Sequence, residues 1–126
     1  MIRSELKIEP DLAFYGEERD LLELAGNLLD NAFKYGKGRV RVGAGVIDKE
    51  SARPGLWLRV EDAGPGVPAD RREALLERGV RGDERVEGHG LGLAIVSELV
   101  ASYGGELTIG DSELGGALVE ARIPPA

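Results

Sequence analysis

Residues 17–35 have the sequence EERDLLELAGNLLDNAFKY, and this stretch decides the fold. Its apolar residues recur at the spacing of an amphipathic helix, so we predict one helix with a broad apolar arc facing the core. The arc consists of Leu21, Leu22, Leu24, Ala25, Leu28, Leu29, Ala32, Phe33 and Tyr35.

A narrow polar stripe runs along the same predicted helix. Its members are Glu23, Asn27, Asn31 and Lys34, at spacings of four, four and three residues. Asparagine is unfavourable in mid-helix because its side chain competes for backbone hydrogen bonds, which argues against the alternative of an ordinary solvated face. Amide oxygens suit a magnesium ion that keeps most of its water molecules, and a lysine ammonium attracts phosphate. The stripe therefore predicts one wall of a Mg-nucleotide site.

Size and composition exclude several classes of protein. The chain of 126 residues is long enough for one domain with a single core. It has no cysteine, which excludes disulfide scaffolds, zinc–thiolate clusters and thiol nucleophiles. The net charge of −7 argues against broad binding to nucleic acid or anionic membrane. No apolar run has the length of a membrane span and the N-terminus lacks a signal-peptide pattern, so we expect a cytoplasmic location.

The remaining elements are predicted from periodicity and turn residues. In chain order we expect strands at 6–8 and 12–15, the helix at 17–35, strands at 39–47 and 56–60, a short helix at 69–76, a mobile charged loop at 77–87, a helix at 93–103, and strands at 106–110 and 117–123. This order predicts a two-layer α/β sandwich, with a mixed, mostly antiparallel sheet of about five strands covered on one face by three helices.

A first glycine cluster, Asp62-Ala63-Gly64-Pro65-Gly66, follows the predicted strand at 56–60. A carboxylate at the floor of a pocket accepts a hydrogen bond from the exocyclic amine of adenine. The alternative is an ordinary turn, and the cluster by itself leaves both open.

A second glycine cluster occupies residues 88–92, GHGLG, before the apolar helix. Unhindered backbone amides at a helix N-terminus bind phosphate, whereas the alternative is a flexible hinge. The spacing excludes a P-loop and the dinucleotide fingerprint. His89 is the only histidine, so we expect no histidine-based metal site. In the preceding charged loop, Arg78, Arg81 and Arg85 are candidates to close over a triphosphate.

Three motifs together resemble the catalytic ATP-binding domain of bacterial sensor histidine kinases. Residues 27–35 (NLLDNAFKY) resemble the N box of that family, residues 62–66 (DAGPG) its G1 box, and residues 88–94 (GHGLGLA) its G2 box. The boxes occur in family order, and the resemblance covers nearly the whole chain. Residues 77–81 and 114–117 are more similar to the PhoQ type of sensor kinase than to the commonest pattern.

The resemblance implies a Bergerat fold, in which ATP lies between the N-box helix and a lid. It implies that Asn31 coordinates Mg²⁺, that Asn27 supports the metal or the phosphates, and that Lys34 contacts phosphate. It also implies that Asp62 binds the adenine amine. Further implied nucleotide contacts are Tyr35, Gly64, Gly66, Gly88, His89, Gly90, Leu91 and Gly92, and Arg81 and Arg85 are both candidates for the γ-phosphate.

The resemblance also implies a reaction. Gyrase, chaperone and mismatch-repair ATPases of the wider superfamily carry a water-activating Glu where this chain has Asn27, so we expect slow hydrolysis. The γ-phosphoryl group would pass to a histidine on a helical hairpin domain, with a response regulator as the indirect partner. We expect residues 1–126 to be one catalytic domain, the cytoplasmic part of a membrane-anchored kinase. As an isolated domain it should be a monomer that binds ATP or ADP without phosphorylating itself.

Two alternatives remain at this point. A stand-alone anti-sigma-type serine kinase has the same fold and a similar length. A non-catalytic nucleotide-sensing or docking module would keep the fold without phosphoryl transfer. The presence of Asn31, Asp62 and all five box glycines argues against the second alternative.

Overall fold

The computed structural model describes residues 3–10, 12–35, 38–76 and 89–126. In chain order these ranges contain β1 (Arg3–Ile8), α1 (Glu18–Tyr35), β2 (Arg39–Ile47), β3 (Gly55–Asp62), α2 (Ala69–Leu76), α3 (His89–Ser102), β4 (Glu106–Asp111) and β5 (Ala117–Ile123). None of the helices in these ranges is long and apolar enough to cross a membrane.

The strands form one sheet in the order β1-β2-β3-β5-β4. β1 pairs with β2 in parallel, because the connection between them passes through α1, whereas the other three pairs are antiparallel. The predicted mixed, mostly antiparallel sheet of an α/β sandwich is confirmed.

The core lies between one face of the sheet and the helices α1 and α3. Buried and less buried residues alternate along β5 and the first half of β2, as expected when only one sheet face is covered. The buried residues of this core are Leu24, Leu28, Ala32, Val40, Val42, Val60, Leu93, Val96, Val100, Leu107, Val119, Ala121 and Ile123.

The opposite sheet face, here called the open face, carries Arg41, Trp57, Arg59, Glu61 and Glu120. Arg41 pairs with Glu61 at 3.0 Å, and Arg59 pairs with Glu120 at 2.7 Å. The Arg59 guanidinium also lies 5.0 Å from the centroid of the Trp57 ring. That ring lies across two glycines of β2, Gly43 and Gly45, where a side chain at Gly45 would clash with it.

α1 begins one residue after its predicted start and ends where predicted. The Glu17 carbonyl accepts hydrogen bonds from the N–H groups of Asp20 at 3.0 Å and Leu21 at 3.2 Å, which opens the first turn. Glu18 and Asp20 in that turn favour the positive end of the helix dipole.

β2, β5 and α2 have their predicted bounds. β3 extends beyond the predicted strand at 56–60, because its pairing with β2 continues from Gly55 to Asp62. Asp62 is therefore the last residue of a paired strand.

The predicted strand at 12–15 is wrong, since this segment has no strand structure. Phe14 instead packs against Tyr103, just beyond the end of α3, with ring centroids 5.2 Å apart. Leu12 and Phe14 are half-buried while Ala13 and Tyr15 are exposed. The alternating pattern thus comes from packing of an extended segment on the body of the domain, without strand pairing.

The apolar arc of α1 is narrower than predicted. Leu24 and Leu28 are buried, but Leu22 is 66% exposed and Phe33 is 46% exposed. The helix packs against β2, β3 and α3, and these neighbours lie along one side of it. Placing Leu22 and Phe33 in the core was therefore wrong.

α3 begins at His89, four residues before its predicted start at Leu93. Gly90 and Gly92 therefore lie in the first helical turn and not in a preceding loop. Glycine is unfavourable in a helix interior, but this turn is continuous with a segment whose Leu93 and Val96 are fully buried. Packing of the apolar segment outweighs the low helix propensity of the two glycines.

Candidate active site

The polar stripe of α1 holds two half-buried amides, those of Asn27 and Asn31. They are four residues apart, about 6 Å along the helix axis. The neighbouring side of the helix is fixed in the core by Leu24, Leu28 and Ala32. The helix therefore presents two amide side chains at a defined spacing.

Lys34, the last member of the stripe, is paired with Asp30 one turn back. The distance from Lys34 Nζ to Asp30 Oδ2 is 3.2 Å, and the side chains are 60% and 63% exposed. An exposed pair at this spacing contributes about 0.3–0.5 kcal/mol, so a ligand needs little free energy to release the ammonium. The side chain of Tyr35 lies outside the part of the chain that the structure describes.

Asp62 ends β3 as a buried carboxylate, 4% exposed. Its Oδ1 accepts hydrogen bonds from the backbone N–H groups of Gly64 at 2.9 Å and Ala117 at 3.2 Å. Two donors on one oxygen fix the orientation of the carboxylate. Within residues 3–10, 12–35, 38–76 and 89–126, its Oδ2 has no hydrogen-bond donor. A buried oxygen in that position is suited to a donor on a ligand.

Gly116 passes directly against Asp62, a contact that sequence reasoning missed. Its N–H donates to the Asp62 carbonyl at 3.0 Å, and a Cβ at Gly116 would clash with the Asp62 carboxylate. Gly66 has a positive φ of 77° and also lies against Gly116. Two adjacent glycines at 115–116 indicate that another part of the backbone passes close to them. Which residue passes there is set by the register between β3 and β5, and the sequence alone does not give that register.

Arg72 of α2 fastens the loop that follows β3. Its Nε donates to the Val67 carbonyl at 2.8 Å, and its guanidinium pairs with Asp111 at 2.7 Å. Val67 is buried and packs against Ala117. Sequence reasoning did not single out this arginine, because nothing in the α2 pattern distinguishes it from Arg71.

The first turn of α3 supplies backbone donors. Residues 89–92 form this turn, and the first four N–H groups of a helix have no partner within it. With the positive end of the helix dipole, such groups suit an anionic phosphate. The side chains of residues 89–92, Gly88, and the loop with Arg78, Arg81 and Arg85 lie outside the described residues.

The described pieces lie on the helix-covered side of the sheet. Asp62 is two residues from Val60 and shares its sheet face. α1 packs against both β3 and α3, and α2 packs against α3. The fold therefore places α1, α3 and the buried carboxylate of Asp62 on the same side of the sheet.

The sequence and fold are similar to those of known proteins. Residues 16–126 match the family described as histidine kinase-, DNA gyrase B-, and HSP90-like ATPase. The chain is 48% identical over 114 residues to the two-component sensor PhoQ of Pseudomonas aeruginosa, covering 90% of this chain and 24% of that protein. It is 42% identical over 115 residues to the sensor protein PhoQ of Escherichia coli K12, covering 91% and 23%. The chain thus spans about a quarter of these relatives' length, and the resemblance to the PhoQ type is confirmed.

Solved structures agree with the fold. The ATP binding domain of PrrB from Mycobacterium tuberculosis superposes with a TM-score of 0.70 at 28% identity, covering 97% of this chain and 80% of that one. Full-length ShkA in complex with AMPPNP superposes with a TM-score of 0.77 at 34% identity, covering 99% and 26%.

Proposed function

Because the chain belongs to the family of histidine kinase-, DNA gyrase B- and HSP90-like ATPases, we propose that it binds Mg-ATP and donates the γ-phosphoryl group to a histidine of a separate domain. We also propose that it is the catalytic domain of a two-component sensor kinase, as its similarity to PhoQ proteins suggests. The observation that carries the proposal is the buried Asp62, with one carboxylate oxygen held by backbone donors and the other facing no described donor.

In the proposed site, Asp62 Oδ2 accepts the hydrogen bond of the adenine amine. The bond forms in a buried environment, where a hydrogen bond to a charged acceptor contributes about 1.5–3 kcal/mol. Gly64 and Gly66 leave room for the base beside the carboxylate, because neither carries a side chain. Adenine recognition is thus assigned to the end of β3 and its following loop.

The phosphates are assigned to α1 and the start of α3. The donor set of Asn27 and Asn31 fits Mg²⁺, since both supply neutral, half-buried oxygens one turn apart. The metal, when bound, neutralises charge on the phosphate oxygens. Lys34 adds a positive charge after leaving Asp30, and the N–H groups of residues 89–92 donate to phosphate oxygens.

The proposed reaction needs positioning more than proton abstraction. An amide at Asn27 cannot take a proton from water, so the bound nucleotide is protected from rapid hydrolysis. The γ-phosphoryl group leaves the bridging oxygen of ADP and bonds to an imidazole nitrogen on a phosphoacceptor hairpin of the parent kinase. A response regulator would then receive it.

The test is a calorimetric titration of ATP, with and without Mg²⁺, into the wild-type chain and an Asn31→Ala variant. We expect saturable wild-type binding that strengthens with Mg²⁺, and a variant that loses this gain. Glu23→Ala is the matched control, because Glu23 is exposed on the same stripe two turns earlier. It should keep the magnesium effect.

Failure of the folded wild-type chain to bind ATP would overturn the proposal and favour a non-catalytic docking module. The serine-kinase alternative is not favoured, because the relatives described above are a two-component sensor and a sensor protein, both named PhoQ. A magnesium gain retained by Asn31→Ala would remove Asn31 from the metal site.

A further inference from the structure

Glu61, the neighbour of Asp62 on β3, is a buried carboxylate on the open face. Its side chain is 7% exposed and accepts two hydrogen bonds from Arg41, each 3.0 Å long. It also accepts a hydrogen bond from Ser112 Oγ at 2.9 Å. Burial tends to raise the pKa of Glu61, but the hydrogen bonds from Arg41 and Ser112 outweigh it and hold the pKa below its usual value. Glu61 is therefore an ionised acceptor at neutral pH.

Ser112 organises the turn between β4 and β5, residues 112–116. Its hydroxyl oxygen accepts a hydrogen bond from Leu114 N–H at 2.9 Å while the hydroxyl donates to Glu61. Its backbone N–H donates to the Gly116 carbonyl at 2.9 Å, and its carbonyl accepts from Gly115 N–H at 3.0 Å. Ser112 is itself buried, at 9% exposure. One side chain thus closes the turn and joins it to β3.

Residues at the C-terminal end of the same turn donate hydrogen bonds to Asp62. Gly116 N–H donates to the Asp62 carbonyl at 3.0 Å, and Ala117 N–H donates to Asp62 Oδ1 at 3.2 Å. Glu61 and Asp62 point to opposite faces of the sheet, as consecutive strand residues do. Residues 112–117 are therefore fastened to β3 in three ways: through Ser112 on the open face, through the backbone hydrogen bond of Gly116, and through Ala117 on the helix-covered face.

We infer that Ser112 and Glu61 are positioning residues for the adenine contact of Asp62. The inference rests on the proposed nucleotide site. Without the Ser112–Glu61 bond, the 112–116 turn loses its direct hydrogen bond to β3 on the open face. The Ala117 N–H that follows the turn, one of the two donors to Asp62 Oδ1, then loses its fixed position. Arg41 supports the Glu61 carboxylate and also pairs with Glu113 at 3.0 Å, on the exposed side of the turn.

The test compares two probes, ATP and purine riboside triphosphate, which lacks the 6-amino group. Ser112→Ala and Glu61→Gln should each weaken ATP binding about tenfold, because the bond from the amine to a charged acceptor becomes misaligned. Binding of the purine analogue should change less than about twofold, since it makes no such bond. Ser112→Thr keeps the hydroxyl and should restore ATP binding.

The matched control is Glu120→Gln. Glu120 is a similarly buried carboxylate on the open face, with 13% of its side chain exposed, and it pairs with Arg59. Within the described part of the chain, Glu120 forms its hydrogen bonds and ion pairs with Arg59 and Arg122 and not with the 112–116 turn, so ATP binding should be unchanged.

The outcomes separate the two proposals. Equal losses for ATP and the analogue, or no loss for either, would overturn the positioning role while leaving the nucleotide site intact. A wild-type chain that binds both probes equally would instead overturn the adenine contact assigned to Asp62. If Ser112→Ala fails to fold, the same comparison of the two probes can be made with Glu61→Gln, which is isosteric with the wild-type side chain.

Discussion

At the scale of single residues, the ion pair between Lys34 and Asp30 affects both the stability of α1 and the affinity for a phosphate ligand. The Lys34 ammonium is occupied by Asp30 one turn away, although both side chains are largely exposed. A phosphate at the site must compete with that carboxylate. The competition is weak, because exposed pairs of this kind contribute little.

Asp30→Asn should therefore raise the affinity for Mg-ATP by about twofold, which corresponds to the 0.3–0.5 kcal/mol of the released pair. Calorimetric titration of the two proteins measures the ratio. Lys34→Gln is the companion variant: combined with Asp30→Asn it should abolish the gain. An unchanged affinity in Asp30→Asn would mean that Lys34 does not contact the phosphates.

Local sequence patterns point to some of the candidate site residues and not to others, for a reason visible at this scale. Asn27, Asn31 and Lys34 could be proposed because a helix places residues three or four apart on one stripe. Asp62 could be proposed from the glycines that follow it. Ser112 and Gly116 act on residues 51 and 54 positions earlier in the chain, a contact set by strand register. A local pattern does not encode that register.

At the scale of elements, α1 has a packed side and an uncovered apolar side. Periodicity predicted the helix to within one residue, but it does not indicate which apolar residues a neighbouring element will cover. Leu28 is 2% exposed between the sheet and α3, whereas Leu22 is 66% exposed. The two leucines therefore provide a direct comparison within one helix.

Leu28→Ala should lower the free energy of unfolding by about 2–5 kcal/mol, because it removes a buried side chain and leaves a cavity. Leu22→Ala should change it by less than about 0.5 kcal/mol. Urea denaturation followed by circular dichroism measures both. Similar losses in the two variants would show that Leu22 is covered in solution.

A second element-scale contact joins the start of α1 to the end of α3. Tyr103 donates a hydrogen bond to Asp20 Oδ2 at 2.5 Å and accepts one from Glu17 N–H at 3.1 Å. The hydrogen bond to Asp20 raises the pKa of the Tyr103 phenol above its usual value. Tyr103→Phe should lower Tm by a few degrees at neutral pH while keeping the ring contact with Phe14.

The pH dependence of that difference has a defined sign. In the unfolded chain the phenol ionises near a pH of about 10, and in the folded chain at a higher pH. The contribution of the Tyr103 hydrogen bond to the stability of the folded chain is complete below the pKa of the phenol in the unfolded chain. It is lost as the pH rises through the pKa of the phenol in the folded chain. The Tm gap between wild type and Tyr103→Phe should therefore narrow above a pH of about 10, as scanning calorimetry can measure. A gap that widens there would contradict the hydrogen-bond assignment.

At the scale of the whole molecule, the proposed reaction requires a second domain as acceptor. His89 is the only histidine in these 126 residues. Incubation with radiolabelled ATP should leave this chain unlabelled, whereas addition of a phosphoacceptor hairpin domain from a PhoQ relative should label the hairpin. The matched control is the same hairpin with its acceptor histidine replaced by alanine. Stable label on this chain alone would contradict the assignment of transfer to a separate domain.

The position of Trp57 has a practical consequence for such experiments. It is the only tryptophan of the chain, and its indole lies across the glycines of β2 beside Arg59. It lies on the sheet face away from the helices, five residues from Asp62, or about 16 Å along the strand. Its fluorescence should report the integrity of the sheet while remaining insensitive to occupancy of the nucleotide site. Trp57 fluorescence can thus follow unfolding with and without nucleotide, while calorimetric titration measures binding separately.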